Sequence, residues 1–123
     1  MPKPLAAWNR LRAHALSLPE AYEDFPWGDR VGKVRKKIFV FLGEGEAGSS
    51  IGMKLGESHA AVSGMPGVQP MGYGMGKAGW VTMPLRGGPP LELMIDWITE
   101  SYLLTAPKRL AAQVQAAEKR PQR

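Results

Sequence analysis

The stretch RVGKVRKKIFVFL, residues 30–42, decides the fold class. Val31–Val34 and Ile38–Leu42 are rich in β-branched and aromatic residues, the composition of strands. Only the basic run Arg35-Lys36-Lys37 separates them. A parallel pair needs a crossover of a dozen residues or more, so these two strands must be antiparallel and joined by a tight turn. Downstream, Gly43–Ser50 (GEGEAGSS) reads as a flexible turn. Ile51–Leu55 then follows as a third strand with Ile51, Met53 and Leu55 on one face. Three short strands joined by short turns make an antiparallel meander.

Working outward, residues 4–18 predict an amphipathic helix. Pro4 suits its first turn, and Leu5, Trp8, Leu11, Ala15 and Leu18 recur at spacings of three and four. Pro19 ends it. Residues 19–30 form a loop dense in acids (Glu20, Glu23, Asp24, Asp29) and aromatics (Tyr22, Phe25, Trp27). Beyond the meander, Glu57–Ser63 reads as a short helix, Val68–Met71 as a brief strand and Trp80–Leu85 as a longer one. Leu91–Leu104 is the strongest helix, with Leu91, Met94, Ile95, Trp97, Ile98 and Tyr102 on a wide apolar face. Glu92, Asp96 and Glu100 form an acidic stripe at spacings of four. A last helix runs from about Pro107 to Ala117. The order predicts an α+β domain of two layers, helices on an antiparallel sheet, spanning residues 1–117 with a frayed tail at 118–123.

Composition narrows the function classes. A chain of 123 residues and 13.4 kDa buries roughly two-thirds of its surface on folding and supports one core. No cysteine is present, which excludes disulfides, thiolate metal sites and cysteine nucleophiles. The longest apolar run is Ile38–Leu42, far short of the ~20 residues of a membrane span. Lys3, Arg10 and Arg12 interrupt the first apolar stretch, unlike a signal peptide. The expectation is a cytoplasmic protein without membrane contact.

The net charge is +5 and the pI about 9.7, which turns attention to polyanions. The surplus sits at the two ends of the chain, and residues 19–106 between them are net negative. Their one strongly basic feature is the hairpin, with Arg30, Lys33, Arg35, Lys36 and Lys37. Such a wing could straddle a phosphate backbone. The plain alternative is a solvated hairpin whose lysines blunt a sheet edge.

The loop GYGMGKAGW, residues 72–80, contains a G-x-G-x-x-G match at Gly74, Gly76 and Gly79. The dinucleotide fingerprint needs a helix after it, and here a strand follows. A phosphate-binding P-loop fails too, because Met71 and Ala78 occupy required positions. What remains is a glycine loop carrying Tyr73, Lys77 and Trp80, suited to an anion or to stacking on a base, or simply structural. Phe25-Pro26-Trp27-Gly28 could line a groove with it, or form a satellite core under the loop. No histidine spacing suits a metal, and no catalytic triad is legible. No cofactor is expected.

Three stretches resemble the MmcQ/YjbR family of small bacterial proteins when taken together. They are LPEAYEDFPWGDRVGKV with the following KIFVFL (18–42), PGVQPMGYGMGKAGWVTM (66–83) and LELMIDWITESYLLTAPKRL (91–110). Pro26-Trp27-Gly28, Lys37-Ile38-Phe39, Pro66-Gly67-Val68 and the pair Lys77 and Trp80 carry most of the likeness. The resemblance implies a five-stranded antiparallel sheet with a topology like that of type III secretion chaperones. It also implies a comparison with the "double wing" DNA-binding domain of a phage regulator, and it implies no catalytic set.

The expected function is a small binding domain with DNA as its first candidate partner. Arg30, Lys33, Arg35, Lys36 and Lys37 would contact phosphates from one wing, Lys77 and Arg86 from the second hairpin, and Tyr73 would stack. No recognition helix is visible, so base readout is not expected. One rival is a protein-interaction module, motivated by the chaperone-like topology and seven methionines. Another is a binder of small anions in a cleft between the Trp27 turn and the Gly72–Gly79 loop, with Trp27, Tyr73, Lys77 and Trp80 as groove residues and Lys77 as anchor. The oligomeric state is not legible.

Overall fold

A computed structural model describes residues 2–43, 50–72 and 74–118. Tyr73 and the tail beyond Glu118 therefore lie outside the described residues. The chain forms helix α1 (Pro2–Ser17), strands β1 (Tyr22–Asp24), β2 (Val31–Val34), β3 (Lys37–Phe41) and β4 (Ser50–Lys54), and a short helix α2 (His59–Ser63). Strands β5 (Gln69–Pro70) and β6 (Trp80–Pro84) follow, then helices α3 (Leu91–Thr105) and α4 (Lys108–Glu118). The six strands make one antiparallel sheet in the order β1-β2-β3-β4-β6-β5.

The α+β reading holds, with one strand more than the five implied. The extra strand is β1, inside the acidic loop. It is three residues long and carries Glu23 on its inward side, so it shows no apolar alternation.

The sheet has two unlike faces. Residues directly opposite in an antiparallel pair share a face. The row Gly32–Val40–Met53–Val81 faces the helices. There Val40, Met53 and Val81 pack with Trp8, Leu11 and Ala15 of α1, Met94, Trp97, Ile98 and Tyr102 of α3, and Leu110 and Val114 of α4. The next row, Val31–Phe41–Gly52–Thr82–Gln69, lies on the opposite face, which no long helix covers.

A bulge reconciles β3 with this division. Gly32 pairs with Val40 and Lys33 with Ile38, so Phe39 has no partner across β2. The extra residue lets Phe39 and Val40 both enter the core while Phe41 emerges on the other side. Phe39 meets Tyr102 edge-on, with ring centroids 5.3 Å apart.

The bulge also opens the ladder between β3 and β4, which pair only at Val40–Met53 and Phe41–Gly52. Ser101 of α3 fills the opening. Its hydroxyl donates to the Phe39 carbonyl at 2.6 Å and accepts from the Lys54 amide at 2.9 Å. Glu100, one residue earlier, holds the turn after β4. Its carboxylate accepts from the amides of Gly56 and Ser58 and from the Ser58 hydroxyl, at 2.9, 3.1 and 2.6 Å. Part of the acidic stripe is thus a structural bracket, and Glu92 pairs with Arg10 at 2.9 Å.

Candidate functional site

The helix-free face holds a cleft of about 350 Å³. Its floor is the outward row of the sheet, namely Phe41, Gly52 and Thr82, with Met71 beside them. Gly52 gives this floor its shape. A Cβ there would lie 3.0 Å from the Met71 Sδ and 3.4 Å from the Phe41 Cβ. Glycine weakens a central strand and marks a place where other atoms approach the backbone closely. Here they belong to Met71, whose amide donates to the Trp80 carbonyl at 3.1 Å. Met75 lines the side contributed by the glycine loop, and Trp27, Gly28, Asp29 and Arg30 form the facing wall.

Trp27 is the most exposed large apolar residue described, with 88 % of its surface open to solvent. Its backbone is left-handed, φ 52° and ψ 25°. That conformation costs a non-glycine residue of order 1–2 kcal/mol. The turn is held by the Asp29 amide donating to the Pro26 carbonyl at 2.9 Å. A tryptophan displayed on strained backbone at the lip of a cleft is an outlier of the kind that gathers at functional sites.

Arg30 anchors this wall to the body of the protein. Its guanidinium lies between Trp8 and Phe25, 5.3 and 4.8 Å from the ring centroids. Its Nη1 donates to the Glu23 Oε2 at 3.1 Å. Glu23 also receives Arg12 of α1 through two bonds of 2.7 and 2.9 Å. These guanidinium contacts, Arg12 foremost, hold the Glu23 carboxyl down at about 2.

The basic hairpin is largely neutralised by the loop before it. Besides Arg30–Glu23, Lys33 binds Asp24 at 2.7 Å and Arg35 binds Glu20 at 2.6 Å. Hydrogen bonds from Arg35 and Lys33 lower the carboxyl pKa values of Glu20 and Asp24 respectively. Among the described residues, Lys36, Lys37, Lys77 and Arg86 make no ion pair. Lys77 precedes β6, whose start lies at the same end of the sheet as the hairpin tip, with β4 between β6 and the hairpin. Arg86 follows β6 and so lies at the opposite end. The eight cationic and aromatic residues read as one nucleic-acid surface are therefore split, and the position of Tyr73 is not described.

Of the groove residues expected, Trp27 lines the cleft. Trp80 is buried on the same face of the sheet but outside the lining, edge-on to Phe41 with centroids 5.5 Å apart. Lys77 is exposed and is not part of the lining. Phe41, Gly52, Met71, Met75 and Thr82 were not foreseen. Their signal was the alternation itself, since a strand with Ile51 and Met53 inward must turn Gly52 outward. His14 lies elsewhere, on α1, with its Nε2 2.7 Å from the Thr99 hydroxyl, and burial lowers its pKa.

Residues 16–104 match the YjbR family. The chain belongs to that family. The matched span contains the hairpin and every residue that lines the cleft. A crystal structure of the Deinococcus radiodurans protein DR2400, which carries a DUF419 domain, is similar to this YjbR chain. The TM-score is 0.62 at 27% identity, over 78% of this chain and 75% of that one. No curated protein matches. Among the described residues, no helix of this YjbR protein is long and apolar enough to cross a membrane.

Proposed function

We propose that this YjbR domain is a binding domain, not an enzyme, and that its ligand site is the cleft on the helix-free face of the sheet. The observation that carries this reading is Trp27, held in a left-handed conformation and 88 % exposed at the cleft's lip. Folding alone gives no return for that arrangement, whereas a ligand stacked on the indole does. An apolar floor with a few polar groups at its margin is the usual construction of a small-molecule site.

The expected result is that small aromatic fragments bind the wild type in a ligand-observed NMR screen. They should be lost from Trp27→Ala, which removes the wall, and from Gly52→Ala, which pushes Met71 into the cleft. Both variants should keep their thermal midpoint within a few degrees, because Trp27 is exposed and the Met71 thioether can move. Fragments that bind all three proteins equally would place the site elsewhere.

The hairpin tip supports a second reading, weak DNA binding. Arg35 and Lys36 have φ of 50° and 70°, as a two-residue type I′ turn requires. Such turns favour Asn-Gly, and here two cations take the strained places. Among the described residues, Lys36, Lys37 and Lys77 are exposed and unpaired at that end, and if these three make the contacts log K should fall with log salt at a slope of about −3. If all seven basic residues first read as contacts took part, the slope would be roughly −6. Lys36→Gly separates charge from folding. It should raise stability by up to about 1 kcal/mol, since glycine accepts a positive φ, while weakening DNA. Unchanged affinity for labelled duplex at 50 mM salt would remove the wing from consideration.

A further inference from the structure

We infer that the cleft takes a small organic cation, an ammonium or amidinium group carried on an aromatic or apolar body. This rests on the cleft being the binding site and adds the sign and shape of what it binds.

The sign follows from which charges in the cleft are already committed. Among the described residues, two ionic side chains line it, Asp29 and Arg30. Arg30 is committed to Glu23 at 3.1 Å and to the faces of Trp8 and Phe25. Asp29 is exposed and makes no ion pair or side-chain hydrogen bond among the described residues. Glu23 is shared with Arg12, but Arg30 is sheltered against it and the two rings, so the ionic group left open to a ligand among the described lining residues is the Asp29 carboxylate. Lys77, the expected anion anchor, is not in the lining.

The shape follows from Trp27. An indole face is electron-rich and attracts cations, more strongly than a phenyl ring does. The same segment already shows this interaction, with the Arg30 guanidinium 4.8 Å from the ring centroid of Phe25. Trp27 repeats the aromatic surface two residues later with its faces left open, and Asp29 stands two residues beyond it. Phe41 on the floor and the thioethers of Met71 and Met75 beside it suit an apolar body, because thioethers adapt to ring edges. At about 350 Å³ the cleft lies near the lower end of ligand pockets, room for a single ring system.

Benzamidine, benzamide and benzoate share one size and planarity and differ in charge, which makes them a direct probe set. Each would be titrated into the full chain, with calorimetry alongside the indole N–H resonance of Trp27, assigned by its loss in Trp27→Phe. Benzamidine should shift that resonance and bind roughly five- to thirtyfold more tightly than benzamide, with benzoate weakest. Asp29→Asn should bring benzamidine down to the benzamide level and leave benzamide unchanged. Trp27→Ala should weaken both. Benzamide or benzoate binding as tightly as benzamidine, or a benzamidine preference that survives in Asp29→Asn, would overturn the cation while leaving the cleft as the site. If no probe moves the Trp27 resonance, or binding ignores Trp27→Ala, the cleft reading falls as well.

Discussion

Ser101→Ala is expected to destabilise the protein by about 2–5 kcal/mol, a large share of the 5–15 kcal/mol that holds a domain of this size together. The hydroxyl is fully buried and serves two backbone groups, the Phe39 carbonyl and the Lys54 amide. Alanine leaves both without a partner in the space where the bulge keeps β3 and β4 apart. Each buried orphan costs about 1–3 kcal/mol. Urea unfolding followed by circular dichroism reads the global loss. Amide hydrogen exchange reads the local one, since Lys54 should exchange faster relative to its strand neighbours than in the wild type. A midpoint change equivalent to less than about 1 kcal/mol would mean that the two strands close the gap themselves.

Ser101 also shows where sequence reasoning stopped. The apolar face of α3 was legible from Met94, Trp97, Ile98 and Tyr102, and Ser101 stands four residues after Trp97 and three after Ile98, in the middle of that face. A serine there could have been flagged, but what it bonds depends on a bulge at Phe39, and a bulge has no signature in a run such as KIFVF. The helices and the longer strands were readable because their periodicity reports burial. Strand β1 was not, because its inward residue is a carboxylate whose partners are Arg12 on α1 and Arg30 just before β2. The turn at Arg35-Lys36 was placed correctly between two strands, yet its positive φ values contradict the local residue preferences.

The site divides along the same line. That the Trp27 turn and the glycine loop face each other across a cleft was legible, because two aromatic- and glycine-rich loops flank one meander. The sign of the cleft was not. It depends on Arg30 being sheltered against Glu23, Trp8 and Phe25 while Asp29 stays open, a placement that residue spacing does not reveal. The basic hairpin shows the same effect. Five cations in eight residues look like a phosphate-binding wing until Glu20, Glu23 and Asp24 are found folded against three of them.

Glu23 carries the second large expectation. Hydrogen bonds from Arg12 and then Arg30 pull its carboxyl from the ordinary glutamate value of 4.5 down to about 2 in the folded protein. Its side chain is only 16% exposed, so solvent screens the interaction little. A carboxylate with a depressed folded pKa stabilises the fold fully above its unfolded pKa and loses that contribution as pH falls through the folded one. Here the window runs from about 4.5 down to about 2, and the contribution at neutral pH is about 2–3 kcal/mol. Glu20 and Asp24 shift in the same direction and add to the acid sensitivity. Glu23→Gln mimics the protonated state at every pH. It should therefore lose about 2–3 kcal/mol at pH 7, and its stability curve should converge on that of the wild type near pH 2. Urea midpoints measured from pH 2 to pH 7 give both curves, and parallel curves would show that the three-way pairing contributes nothing specific. The same variant bears on the cleft. With Glu23 neutral, Arg30 loses its counter-charge while keeping Trp8 and Phe25, so its positive charge becomes available beside Asp29. Benzamidine should then bind the variant more weakly and benzoate no longer be disfavoured, although neither residue altered in the binding test has changed.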